Sequence, residues 1–166
     1  PFKLLTTSMA LEEGLTNVND SFYCKPMNIA GQILKCWKAP ASHGAETLAK
    51  GVANSCNPVF ITLSQRLGID RFYEYLEDYG FMGTTGIDCP GEATSILQNK
   101  STAGPVGLAT MAYGQGIACT PIQLMAALTS NGNEGKLMKP RLVRALADSD
   151  GNIIEEFDPT VVRQVV

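Results

Sequence analysis

Ser55-Cys56-Asn57 and Lys3 are the residues of this chain whose types could carry covalent chemistry. A serine hydroxyl is a weak nucleophile that needs a base within hydrogen-bond reach, and a lysine amine becomes that base when its surroundings lower its pKa. Lys3 opens a helical pattern, and at a helix N-terminus the macrodipole disfavours a cation. A serine three residues before a lysine shares its helix face, so a hydroxyl placed there meets the amine. Ser55 could pass a proton to a leaving amine, and Asn57 could offer its amide to a substrate carbonyl while also bonding Lys3. Each residue also has a purely structural reading: Lys3 as a solvated lysine near a chain end, Ser55 as a turn serine, Asn57 as the N-cap of the next helix.

Other reaction centres fit poorly. Gly114-Gln115-Gly116 runs into Ile117-Ala118-Cys119, so a dinucleotide fingerprint fails at its third glycine. No Gly-x-Ser-x-Gly elbow and no His-Glu-x-x-His occurs. His43 is the single histidine, so a Ser-His-Asp triad would have to pass through it; in its glycine-containing loop it reads as a residue bonding to backbone. Five cysteines, without a Cys-x-x-Cys pair and with one histidine, argue against a zinc site. Cys24 and Cys36 flank a short ribbon folded at Ala30-Gly31 and could face each other across it. They would be either a disulfide, which argues for an extracytoplasmic location, or two buried free thiols.

The elements that must position these residues are mainly helical. The 166 residues are 45% hydrophobic and 17% charged, enough for a real core. A net charge of −3 and scattered Lys and Arg give no footprint for nucleic acid. No window approaches the roughly 18 consecutive apolar residues of a membrane span. Phe2, Leu5 and Met9 mark a helix over 2–13 stopped by Gly14, and 19–37 form the ribbon. Further helices are expected over 45–53, from Asn57-Pro58 to Gly68, over 71–79 capped by Asp70, over 105–113, and from Thr120-Pro121 to Ser130. The stretch 81–104 reads as loop, and Asp148-Ser149-Asp150-Gly151 reads as a hairpin turn between 141–146 and 152–157. Roughly 1–132 is thus mainly helical and 133–166 a hairpin leading back to a sheet.

The flanks of the candidate residues resemble a known family. Phe2-Lys3 leading into a helix that ends Ala10-Leu11-Glu12-Glu13-Gly14 looks like the segment that follows the nucleophile of penicillin-binding proteins. Ser55-Cys56-Asn57 matches the looser Ser-x-Asn form of their second motif. Cys36-Trp37-Lys38 with His43-Gly44, Asn57-Pro58-Val59-Phe60, Pro90-Gly91-Glu92, Tyr113-Gly114-Gln115-Gly116 and Thr120-Pro121-Ile122-Gln123-Leu124 extend the likeness over essentially the whole chain. It is strongest to class B penicillin-binding proteins, of the division or stage V sporulation protein D type. Lys-Thr-Gly, the third motif, is absent; only Lys100-Ser101 begins it, and Thr102 breaks it.

The resemblance implies an α+β fold of the serine β-lactamase/D,D-transpeptidase kind, of which this chain is a partial domain: the helical subdomain plus part of the antiparallel sheet. It implies catalytic roles for Lys3, Ser55 and Asn57, with Cys56 beside the site and without chemistry of its own. The nucleophilic serine is expected immediately before Pro1 and Lys-Thr-Gly beyond Val166, so the segment alone is expected to be inactive. The implied activity is peptidoglycan cross-linking through a serine acyl-enzyme, with the stem peptide's D-Ala-D-Ala end and β-lactams as partners and no cofactor. Location at the extracytoplasmic face of a bacterial membrane, through an anchor outside this chain, and association with cell-wall synthesis proteins follow from the same likeness. Two alternatives stand beside it: a β-lactamase or β-lactam sensor, with Glu92 as the residue to test as an added base, and a non-catalytic helical binding module. The distance between the side chains of Lys3 and Asn57 discriminates the last.

Overall fold

The computed structural model describes residues 1–166 and resolves into two compact units, residues 1–75 with 96–118 and residues 76–95 with 119–166. The first unit carries α1 (Phe2–Glu12), β1 (Ser21–Cys24), β2 (Met27–Ile29), β3 (Gln32–Leu34), β4 (Gly44–Thr47), α2 (Leu48–Ala53), α3 (Asn57–Leu67), most of α4 (Ile69–Asp78), β5 (Ile96–Leu97), α5 (Pro105–Met111) and β6 (Ile117–Ala118).

Its hub is α3, which packs on α1, α5 and β1. Phe60, Ile61 and Leu63 are sealed from solvent, as are Leu5 and Met9 of α1. Burying such side chains supplies about 1.5–3 kcal/mol each, the main force joining these helices. A polar tie reinforces it: the Thr6 hydroxyl donates to the Ala112 carbonyl at 2.7 Å. At the far end of α1, Glu13 accepts from Arg71 and from the Tyr75 hydroxyl, both at 2.8 Å. Gly14 (φ 64°) then turns the chain out of the helix.

Several sequence-based boundaries shift. The expected ribbon splits: β2 and β3 form the hairpin turned by Ala30 and Gly31, but β1 pairs antiparallel with β4, with Cys24 opposite Gly44. Residues 45–47, expected as the start of a helix, are therefore strand; ladder bonds to β1 claim that backbone, and Thr47 caps α2 through Lys50 N. Cys56, not Asn57, is the N-cap of α3. Asp70 lies inside the first turn of α4 and pairs with Lys100 instead of capping.

The second unit carries α6 (Pro121–Asn131), β7 (Lys136–Met138), β8 (Ala145–Ala147), β9 (Ile153–Glu156) and β10 (Val161–Gln164). A capping box opens α6: Thr120 accepts from Gln123 N while Gln123 Oε1 accepts from Thr120 N. The buried Gln123 amide also donates to the Gly83 carbonyl at 2.6 Å and accepts from Ser95, so one residue anchors the preceding loop. β8 and β9 form the hairpin at Asp148–Gly151, where Asp148 accepts from the amides of Asp150 and Asn152. β7 pairs with β10.

Candidate active site

A sharp corner between α2 and α3 positions Ser55, Cys56 and Asn57. The amides of Ser55 and Cys56 bond to the carbonyls of Val52 and Gly51, closing α2 with two nested bonds. That ending needs a left-handed residue, usually glycine, and here Ser55 takes it at φ 52°. A side chain in that region costs roughly 1–2 kcal/mol. The hydroxyl is thus held at a position the backbone would give to glycine. Cys56 (φ −76°, ψ 106°) turns the chain directly into α3. The corner is tight enough that a Cβ on Gly51 would lie 2.7 Å from Val59 Cγ2.

Lys3 reaches this corner from the first turn of α1. Its Nζ donates to Ser55 Oγ at 2.6 Å, to the Ser55 carbonyl at 2.7 Å and to Asn57 Oδ1 at 2.8 Å. These three acceptors use all the protons of an ammonium. Nζ also lies 5.3 Å from the centroid of the Phe60 ring. Burial lowers the Lys3 pKa, opposed by the negative charge that Cys36 and Cys56 contribute when ionised. Asn57 does not cap α3, because Lys3 occupies its Oδ1 and its Nδ2 donates to the Lys35 carbonyl at 3.2 Å. The sequence-expected trio therefore converges within hydrogen-bonding distance across 52 and 54 positions of chain, as the discriminating distance required.

The family model for the penicillin binding protein transpeptidase domain matches residues 2–166. The chain belongs to this family. It is 40% identical over 168 residues to stage V sporulation protein D of Bacillus subtilis, covering 99% of this chain and 26% of that protein. Among solved structures, penicillin binding protein 3 of Mycobacterium tuberculosis complexed with aztreonam superposes with a TM-score of 0.86 at 26% identity, covering 99% of this chain and 37% of that one. The D,D-transpeptidase domain of a peptidoglycan glycosyltransferase from Eggerthella lenta gives 0.84 at 25% identity, covering 99% and 43%. The fold is thus that of the penicillin-binding transpeptidases, as the motifs implied. This chain spans about a quarter of the length of the curated relative.

Glu92 takes a structural place in the second unit of this fold. Its carboxylate accepts from the amides of Thr85 at 2.6 Å and Gly86 at 3.0 Å, and hydrogen bonding by Thr85 holds it below the usual carboxylate range. A general base needs the opposite shift.

The sequence reading missed one gathering of groups in the first unit. Cys24, Cys36 and Cys56 are free, buried thiols, so Cys24 and Cys36 form no disulfide. Their sulfurs surround the ring of His43, whose Nδ1 lies 3.5 Å from Cys24 Sγ and 3.6 Å from Cys36 Sγ. His43 is therefore not the backbone-bonding loop residue expected. The signal lay in the strand pairing: placing Cys24 opposite Gly44 brings position 43 to the end of β1.

Proposed function

We propose that this chain is part of a serine D,D-transpeptidase that cross-links peptidoglycan stem peptides and is acylated by β-lactams. The observation that carries the reading is the Lys3 amine held between Ser55 Oγ and Asn57 Oδ1. A serine hydroxyl one turn before Lys3 would attack the carbonyl of the penultimate D-alanine as neutral Lys3 accepts its proton. That proton, relayed through Ser55, passes to the amine of the departing D-alanine as the peptide bond breaks. The amine of a second stem peptide then attacks the ester, and the serine proton is restored. Asn57 bonds Lys3 and offers its Nδ2 to a substrate carbonyl, exchanging its present bond to Lys35.

The β-lactam complex of the related penicillin binding protein 3 supports β-lactams as ligands. The backbone-saturated Glu92 disfavours the β-lactamase alternative. No helix here is long and apolar enough to cross a membrane. The likeness to stage V sporulation protein D supports display on the extracytoplasmic face of a bacterial membrane, anchored by a segment outside these residues and associated with other cell-wall proteins. The test is a fluorescent penicillin offered to the full-length protein: a long-lived covalent adduct is expected, and rapid turnover would favour the hydrolase.

A further inference from the structure

The middle residue of Ser55-Cys56-Asn57 belongs to a second cluster. Cys24 at the end of β1, Cys36 shortly after β3, His43 just before β4 and Cys56 at the N-cap of α3 place one ligand atom each, all within 4.8 Å of one another. Besides the two sulfur-to-nitrogen distances of 3.5 and 3.6 Å, Cys36 Sγ lies 4.0 Å from Cys56 Sγ. With metal–sulfur bonds of about 2.3 Å and a metal–nitrogen bond of about 2.0 Å, a tetrahedron has sulfur–sulfur edges of about 3.8 Å and sulfur–nitrogen edges of about 3.5 Å. These three spacings lie close to those edges, and the other three pairs fall within 4.8 Å.

The surroundings fit the same reading. The three cysteines are 3%, 7% and 0% exposed, and the His43 side chain is 5% exposed. Beside them the buried Glu46 places Oε1 3.7 Å from His43 Nδ1 and bonds Cys56, while its Oε2 accepts from Asn54 Nδ2 at 2.6 Å. A buried carboxylate this close to the cluster is an outer-shell group whose change the ligands would feel. A cavity of about 230 Å³, lined in part by Cys24, Lys25, Cys36, Pro40 and Ser42, offers an entry path.

We infer that Cys24, Cys36, His43 and Cys56 bind one zinc ion in a closed, four-ligand structural site. Three sulfurs and one imidazole suit zinc and not the hard, oxygen-seeking cations. Each thiol releases its proton to solvent as its sulfur ligates. With no open position the ion activates no water. Its work is positional: it fastens Cys56, and with it the corner that presents Ser55 and Asn57 to Lys3.

The test uses full-length protein purified under reducing conditions without chelator. Elemental analysis is expected to find one zinc per chain, lost in Cys24→Ser and His43→Ala and kept in Cys89→Ser and Cys119→Ser. Cobalt exchanged into the stripped protein should show thiolate-to-metal charge transfer and the intense visible bands of a tetrahedral centre. Should the ligand variants fail to fold, Glu46→Gln serves instead, with zinc affinity expected to fall about tenfold in chelator competition. Folded protein without zinc that takes up no cobalt, a Cys36–Cys56 disulfide under these conditions, or zinc affinity unchanged in all three variants would overturn the site. Zinc is counted without any β-lactam, so this result is independent of the transpeptidase reading.

Discussion

Two polar clusters meet at one tripeptide, and they are built differently. Ser55 and Asn57 turn to Lys3, a single cation satisfied by three oxygens. Cys56 joins sulfurs and an imidazole beside the buried Glu46 carboxylate. The first cluster gathers oxygens around one amine; the second gathers soft ligand atoms beside an acid. On the two proposals above, the first cluster handles protons and the second holds the corner through an added ion.

The comparison breaks hardest at Lys3. Lys3→Ala in the full-length protein is expected to slow β-lactam acylation about a thousandfold, measured as the rate of covalent labelling, while leaving zinc content unchanged. Loss of zinc together with acylation would show that the two clusters are one structural unit. Ser55→Gly comes next. It should slow acylation about a hundredfold yet raise thermal stability by roughly 1 kcal/mol, since glycine takes the left-handed conformation at no steric cost. A fall in both would mean that the hydroxyl is mainly a structural tie.

Gly51→Ala probes the corner itself. Its Cβ would press on Val59 and is expected to destabilise by about 1–3 kcal/mol in denaturant unfolding, with weaker acylation as the motif shifts. The pH profile sharpens the role of Lys3. In the proposed mechanism the neutral amine is the active form, which exists above its pKa, and burial moves that pKa down. The rising limb of acylation is therefore expected below the ordinary lysine range, and a limb at the ordinary lysine value would exclude Lys3 as the base. The smallest effect is expected for Glu92→Gln: a modest drop in melting temperature from weaker bonds to Thr85 and Gly86, with the acylation and deacylation rates unchanged.

Much of the fold was legible where the determinants are local. The apolar spacing of Phe2, Leu5 and Met9 with Gly14 as stop, the Thr120-Pro121 opening of α6, and the Asp148–Gly151 turn all appear where the sequence placed them, whereas the first hairpin strand is 145–147 and not 141–146, the amides of Leu142 and Val143 donating to Asp88 instead. Residues 44–47 were misread because their partner is β1, some 20 positions away, and no pattern within the segment encodes that pairing. Asn57 was assigned to a cap because the local signal Asn-Pro is a capping signal; the competing bond from Lys3 comes from another helix.

By itself, the sequence determined the candidate side chains and the family: Lys3 at a helix start, Ser-x-Asn at a helix junction, and flanking motifs along the whole chain. Only the tertiary structure decided what those side chains meet. It brought Lys3 to Ser55 across 52 residues, left Ser55 in a glycine-like conformation, and closed three scattered cysteines around His43. The physical reason is that helix starts, stops and turns are set by neighbours within a few residues. A lysine's hydrogen-bond partners and a metal's ligands are gathered by strand pairing and core packing, which act between segments the sequence keeps apart.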